Sequence, residues 1–334
     1  MSKKITILFV LLFILILSIL VSLLIGSTSI SFSEFLTIFS SNNEISKKII
    51  LDIRLPRIIN SVLVGASLSC SGIILQSLLR NNLAESGLLG ISAGAGLGAI
   101  IFFLFPITIS FSLLNPISFL FAVSTTILIF YIAKGINNKY TNFLSSNKII
   151  LAGIAINAFL SSVNGFLLLY SGKSVSQIIY WLSGGLSGRG WSEVELSYLF
   201  VIAGLAGAIL ISKELNILNL GDELSVTLGL RIKMVQRLSI GISALLAASA
   251  VSVAGIISFV GLIVPNISKL LIGSDNRYSI PCSILLGSIF LVIADTIART
   301  IISPSEIPVG IVTSFIGAPI FIWLILKKHK DDKS

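Results

Sequence analysis

The chain has 334 residues, of which 55% are hydrophobic and only 11% charged, with a mean hydropathy of +1.04. Soluble domains carry roughly 25% charged residues, so this composition excludes one. The net charge of +9 sits at the ends of long apolar runs, which is the positive-inside pattern of a membrane protein rather than a nucleic-acid surface.

Those apolar runs are unbroken over ~20 residues, whereas a membrane barrel would alternate over strands of ~10. The first, MSKKITILFVLLFILILSILVSLLIG, has basic residues ahead of it as a signal peptide does. It is too long for a signal core and no A-x-A site follows, so it predicts an uncleaved span. Spans are then expected over 5–26, 58–79, 88–105, 117–134, 148–170, 194–212, 238–256, 258–272, 281–300 and 308–326. The fold class is therefore an all-α integral membrane protein of about ten transmembrane helices, with 1–334 forming a single transmembrane domain. With that topology, sixteen of the 23 Lys and Arg fall on the side of the N-terminus and seven opposite, which predicts cytoplasmic N- and C-termini. Arg54, Arg57 and Arg299 stand among the seven exceptions.

Two stretches fall outside the spans. Residues 27–53, with Ser, Asn and acids, predict a small external element. Residues 213–237 (KELNILNLGDELSVTLGLRIKMVQR) predict two short helices joined at Leu220-Gly221, with Gly229 ending the second. Leu218, Leu220, Leu224, Val226 and Leu228 would be odd on a loop that met only water. They point to docking of a cytoplasmic partner, with a solvated loop as the alternative.

Small residues recur along the spans, from Gly65 and Gly72 through Gly94-Ala95-Gly96-Leu97-Gly98 to Gly261 and Gly287. Inside lipid they let helix backbones approach. The Gly94–Gly98 run is no dinucleotide loop, because no strand precedes it.

Much chemistry is missing. There is no G-x-x-x-x-G-K-[ST] and no H-E-x-x-H, and the adjacent acids Asp331-Asp332 are in the tail. Cys70 and Cys282 have no C-x-x-C spacing, and His329, the one histidine, lies in the Lys-rich tail. No catalytic residue, metal site or cofactor is expected. Ionisable residues near the membrane are Glu85, Asp295, Arg299 and Glu306, and Asp295 and Arg299 share a helical face on which each would neutralise the other. Without an acid/His relay, the residues leave a passive channel-like body or a transporter energised by another subunit.

Arg54-Leu55-Pro56-Arg57, Leu63-Val64-Gly65-Ala66, Gln76, Asn81-Asn82-Leu83-Ala84 and Gly87-Leu88-Leu89-Gly90 resemble the FecCD/BtuC family of permease subunits in importers powered by an ATP-binding cassette. So do Phe259-Val260-Gly261-Leu262-Ile263-Val264-Pro265, Ala294-Asp295, Arg299, Glu306-Ile307-Pro308-Val309-Gly310 and Gly317-Ala318-Pro319, and the likeness runs from about Phe32 to Lys327. The resemblance implies a BtuC-like fold, a second permease subunit (an identical copy or a paralogue), ABC ATPase subunits below and an extracytoplasmic substrate-binding protein above. It implies docking of the binding protein on Arg54, Arg57 and Arg299, and a cytoplasmic gate at Asn81, Leu83, Ser146 and Asn147. It makes 213–237 the coupling helices, matched at Leu220, Gly221, Asp222, Glu223, Leu228 and Gly229. Small residues on 151–165 (Ala152, Gly153, Ala155, Asn157, Ser161) would line a weakly binding lumen. The implied cargo is an iron complex, ferric siderophore or haem, with cobalamin as the alternative and a standalone secondary transporter as a further one. Asn82 and Ser86 stand where the family usually has proline, Asn266 and Asn276 where it has His, and Lys269 where it has Arg.

Overall fold

The computed structural model describes residues 2–26, 44–105, 110–135 and 146–331. Most of the expected external element, 27–43, lies outside them. The described chain is all-helical. Ten helices form the body: α1 (Ser2–Leu24), α2 (Leu55–Leu79), α3 (Ile91–Leu104), α4 (Leu114–Gly135), α5 (Ser146–Leu169), α7 (Trp191–Leu210), α10 (Ile232–Ala254), α11 (Val260–Ile272), α12 (Asn276–Thr300) and α13 (Val309–Asp331). Four short ones lie between them: a single turn at Glu44–Lys48, α6 (Val175–Leu182), α8 (Ser212–Leu218) and α9 (Asp222–Thr227). Seven of the ten are long and apolar enough to cross a membrane, and α3, α11 and Val309–Leu324 of α13 are shorter apolar helices. This makes the chain a multi-pass membrane protein, with the ten expected spans in place.

The body is built around α2. Glu44–Lys48 and a π-helical stretch Ile49–Arg54 lead into it, and Pro56 in its first turn has no N–H to leave unpaired. From Val64 to Leu79 every residue is buried. Helices α12, α10 and α11 pack on it, while α1 packs on α12 from outside.

The packing follows from the small residues. A Cβ on Gly72 would lie 1.9 Å from the carbonyl oxygen of Gly261, and one on Gly65 would lie 2.2 Å from that of Gly287. These backbones touch with nothing between them, which is how dispersion contact is gained where lipid removes the hydrophobic drive. Hydroxyls fill the remaining seams. Ser71 Oγ meets Ser243 Oγ at 2.8 Å, and Ser288 Oγ donates to the Val62 carbonyl at 3.1 Å.

The helix starts differ from the sequence expectation at one instructive point. The span expected from 88 begins at Ile91, because Ser86–Leu89 form a 3-10 turn that Gly90 ends at φ +69°.

Candidate functional site

The expected docking residues do meet at one end of the body. Arg57, in the first turn of α2, donates to Asp295 on α12 from Nε (3.1 and 3.0 Å to Oδ1 and Oδ2) and from Nη2 (2.8 Å to Oδ1). Its Nη1 donates to both oxygens of Glu306, at 2.9 and 3.0 Å. Arg299 donates from Nη2 to the Ser22 carbonyl and hydroxyl at 2.5 and 2.6 Å, and Arg54 donates from Nη1 to the Leu23 carbonyl at 2.6 Å. The three arginines therefore tie the end of α1 to α2, α12 and the connection Ile301–Pro308. Such bidentate, planar bonding is what a guanidinium supplies and an ammonium does not.

Two expectations change here. The three arginines expected to meet a partner are not open to water, since Arg54, Arg57 and Arg299 are each at least nine-tenths buried. Nor do Asp295 and Arg299 chiefly satisfy one another. They approach to 4.0 Å, but the hydrogen bonds of Asp295 come from Arg57. Glu306 lies on the connection outside the spans. Burial pushes its carboxyl up, but Arg57 outweighs that and holds it below its ordinary range.

The same end carries α6 and the turn after it. Asn60 Nδ2 donates to the Gly190 carbonyl at 3.1 Å, and Trp191 Nε1 to the Leu51 carbonyl at 3.0 Å. A cavity of about 560 Å³ opens beside this turn, between Leu182, Ile256 and Ser258 on one side and Gly310, Ser314 and Phe315 of α13 on the other.

At the opposite end, α2 stops at Arg80, whose backbone is left-handed (φ +49°). Asn81 Oδ1 accepts from the Leu83 N–H at 2.8 Å, and Leu83 is exposed. Ser146 and Asn147 open α5. Among the described residues no hydrogen bond joins them to Asn81 or Leu83. The neighbour of those gate residues is the more connected one. Asn82 accepts from Lys269 Nζ on its Oδ1 (3.1 Å) and from Asn266 Nδ2 on its carbonyl (3.0 Å), while the same Nζ reaches Gln76 Oε1 at 2.8 Å. Three positions that depart from the family pattern thus contact one another. Glu85, in the same turn, has its carboxyl pushed up by burial, opposed by the Phe259 N–H at the start of α11.

The expected pair of short helices is present as α8 and α9. Gly221 joins them at φ +111°, and Gly229 turns out of α9 at φ +77°. Both values are easy only for glycine. Arg80 anchors this pair by donating from Nε to the Leu218 carbonyl at 3.0 Å and by an ion pair with Asp222. Leu218 is buried, whereas Leu220, Leu224, Val226 and Leu228 are each more than half exposed. Asp222 and Glu223 open α9, where carboxylates suit the positive helix terminus.

The small residues assigned to a lumen on α5 divide. Ala152 and Gly153 are buried, and a Cβ on Gly153 would lie 1.9 Å from the Leu88 carbonyl, so these two serve packing. Asn157 donates to the Gly87 carbonyl at 2.6 Å, while Ala155 and Ser161 are exposed.

The described residues thus form an all-helical membrane body with a charged cluster at one end and an exposed helical pair at the other. Residues 14–327 match the FecCD transport family, and the chain belongs to it. It is a permease of the ABC importer class. It is 37% identical over 298 residues to the uncharacterized ABC transporter permease protein YvrB of Bacillus subtilis, covering 88% of this chain and 83% of that one. It is 36% identical to the hemin transport system permease protein HmuU of Yersinia pestis (91% of this chain, 90% of that one). To the cobalamin import system permease protein BtuC of Halobacterium salinarum it is 38% identical (84% and 74%). A solved transporter assigned to the metal-chelate ABC type, in an inward-facing conformation, superposes with a TM-score of 0.86 at 29% identity, over 96% of this chain and 99% of that one.

Proposed function

We propose that this chain is the membrane-spanning subunit of an importer that carries an iron complex, ferric siderophore or haem, across the cytoplasmic membrane. Its N- and C-termini face the cytoplasm. The observation that carries this reading is the polarity of α2, which bears Arg54 and Arg57 at one end and Arg80, bound to the α8–α9 pair, at the other. A binding protein docks at the arginine end, by carboxylates that meet Arg54, Arg57 and Arg299. ABC ATPase subunits, which hydrolyse the ATP, seat on Leu220, Leu224, Val226 and Leu228, an apolar surface with no reason to face water. The gate lies at Asn81, Leu83, Ser146 and Asn147. A second permease subunit completes the pathway against α5 and α13, whose Leu151, Phe159, Phe315 and Trp323 are exposed in the single chain.

The relatives bear on the cargo. The hemin permease HmuU and the iron(3+)-hydroxamate permease FhuG of Bacillus subtilis support iron. The cobalamin permease relative supports the second reading, cobalamin, equally well in identity. A deletion strain grown on ferric siderophores, haem or cobalamin as the sole source separates them. Failure to lose growth on any of the three refutes both cargo readings.

A further inference from the structure

Arg57 holds two carboxylates of unequal standing. Asp295 is 1% exposed and receives three hydrogen bonds from Arg57, whereas the Glu306 side chain is 24% exposed and receives two from Arg57, with Ser187 as a further partner. A buried carboxylate that parts from a buried guanidinium strands two charges, so Asp295 is fixed. A carboxylate with water at its edge gains little from its ion pair, so Glu306 is exchangeable.

The connection that carries Glu306 runs directly into α13. The Ile307 N–H donates to the Ala298 carbonyl and the Gly310 N–H to the Gly184 carbonyl, each at 3.0 Å. Gly310 is also packed so closely on the Ser183 carbonyl that a Cβ would lie 2.2 Å from it. Gly310, Ser314 and Phe315, the first turns of α13, then wall the 560 Å³ cavity. The cluster as a whole sets three arginines (54, 57, 299) against two carboxylates (295, 306), an excess of one positive charge. Its field still draws an acidic partner with Glu306 in place.

We propose that Glu306 is an internal stand-in for a carboxylate of the acidic docking partner. Without the partner it keeps Arg57 paired. When a partner's carboxylate reaches Arg57, Glu306 is released, and the connection into the first turn of α13 loses its side-chain anchor and keeps only its backbone bonds at the cavity wall. Docking at one end thereby biases the helix that borders the pathway. The inference rests on the docking reading given above and adds to it the residue that competes with the partner.

The test uses the assembled transporter in lipid nanodiscs with the binding protein that supports its uptake. Glu306→Gln removes the competing charge at nearly unchanged size. Binding to that protein should tighten roughly two- to five-fold, the scale of one partly exposed ion pair. ATP hydrolysis without the binding protein should rise toward the stimulated rate. If Glu306→Gln binds no tighter while added salt and Arg299→Gln both weaken docking, the stand-in is refuted and the docking surface stands. If docking ignores both salt and Arg299→Gln, the docking reading falls and this inference with it.

Discussion

Asp295→Asn is the sharpest probe of how the arginine cluster is built. The substitution leaves the shape of the site but removes the charge that faces Arg57 across 2.8–3.1 Å, with Asp295 1% and Arg57 8% exposed. Removing one partner of a buried pair costs about 3–5 kcal/mol, because the other charge stays out of water unpaired. Arg299 makes matters worse, since Asp295 is also the acid closest to it, at 4.0 Å, and its Nε has no other partner. Glu306→Gln, judged by the same reasoning, costs less than about 1 kcal/mol. The two variants and wild type would be heated in detergent, and the fraction surviving as a monodisperse peak followed against temperature. Asp295→Asn should lose the peak well below wild type, and Glu306→Gln close to it. A double variant, Arg57→Gln with Asp295→Asn, should recover part of the loss, because the Arg57 charge is no longer stranded, while Arg299 and Glu306 keep the recovery incomplete. Equal midpoints for the two single variants would refute the division into a fixed and an exchangeable carboxylate.

Three further outcomes are expected. Gly72→Ala places a methyl 1.9 Å from a backbone oxygen that cannot turn aside, about 1.5 Å inside ordinary contact, so α2 and α11 must part. A cost at or above the 1–3 kcal/mol of overpacked cores should appear as a sharp fall in folded yield, while Gly135→Ala, with open space around it, should not alter the yield. Lys269→Met removes the ammonium that holds both Gln76 and Asn82, so a cysteine placed at Leu83 should react faster with a thiol reagent added from that end; an unchanged rate would mean the bonds to Asn82 do not restrain the turn. Asp275 is held well below the usual carboxylate range, first by its hydrogen bond from Arg277. A depressed carboxylate contributes stability that is fully present above its unfolded value of about 3.9 and is lost as pH falls through the lower folded value, so wild type should weaken below about pH 4 and Asp275→Asn should show less of that fall.

Much of the architecture could be read from residue order because the signals were local. Twenty apolar residues make a span wherever they fall, and Gly221 and Gly229 mark turns because only glycine enters their backbone region cheaply. The arginine cluster was half legible for the opposite reason. Asp295 and Arg299 advertise themselves as neighbours by helical spacing, but the partners that matter to Arg57 lie 238 and 249 positions away. Charge placement predicts Arg54, Arg57 and Arg299 as exceptions to an inside bias, but it could not show that they are buried. The same limit divides the leucines of 213–237. Leu218 and Leu220 look alike in sequence, yet the first is covered by the body and the second is not. It divides the small residues of α5 too, since Gly153 serves the Leu88 carbonyl and only the fold could bring that carbonyl to it.

The placement of polar groups also bears on how the two ends could communicate. Between Arg57 and Arg80, α2 is almost wholly buried and touches α11 and α12 through bare backbone at Gly72 and Gly65. A seam whose closest contacts are backbone, with only short serine hydroxyls beside them, has few rotamers to exchange, so it offers sliding or separation and little else. The exchangeable contacts lie at the ends: Glu306 on Arg57 at one, and at the other Asp222 of α9 on Arg80 and Lys269 on Asn82 in the turn after α2, with side chains that reach water. A rod about 37 Å long at 1.5 Å per residue, clamped along its length and loosely tied at both tips, carries a displacement as a unit. Movement in this permease is therefore expected in the segments that its tips hold, the connection into α13 at one end and α8–α9 at the other. A cysteine cross-link between α2 and α12 along the Gly65–Gly287 seam should then leave transport intact, whereas one that fastens the 301–308 connection to α2 should arrest it.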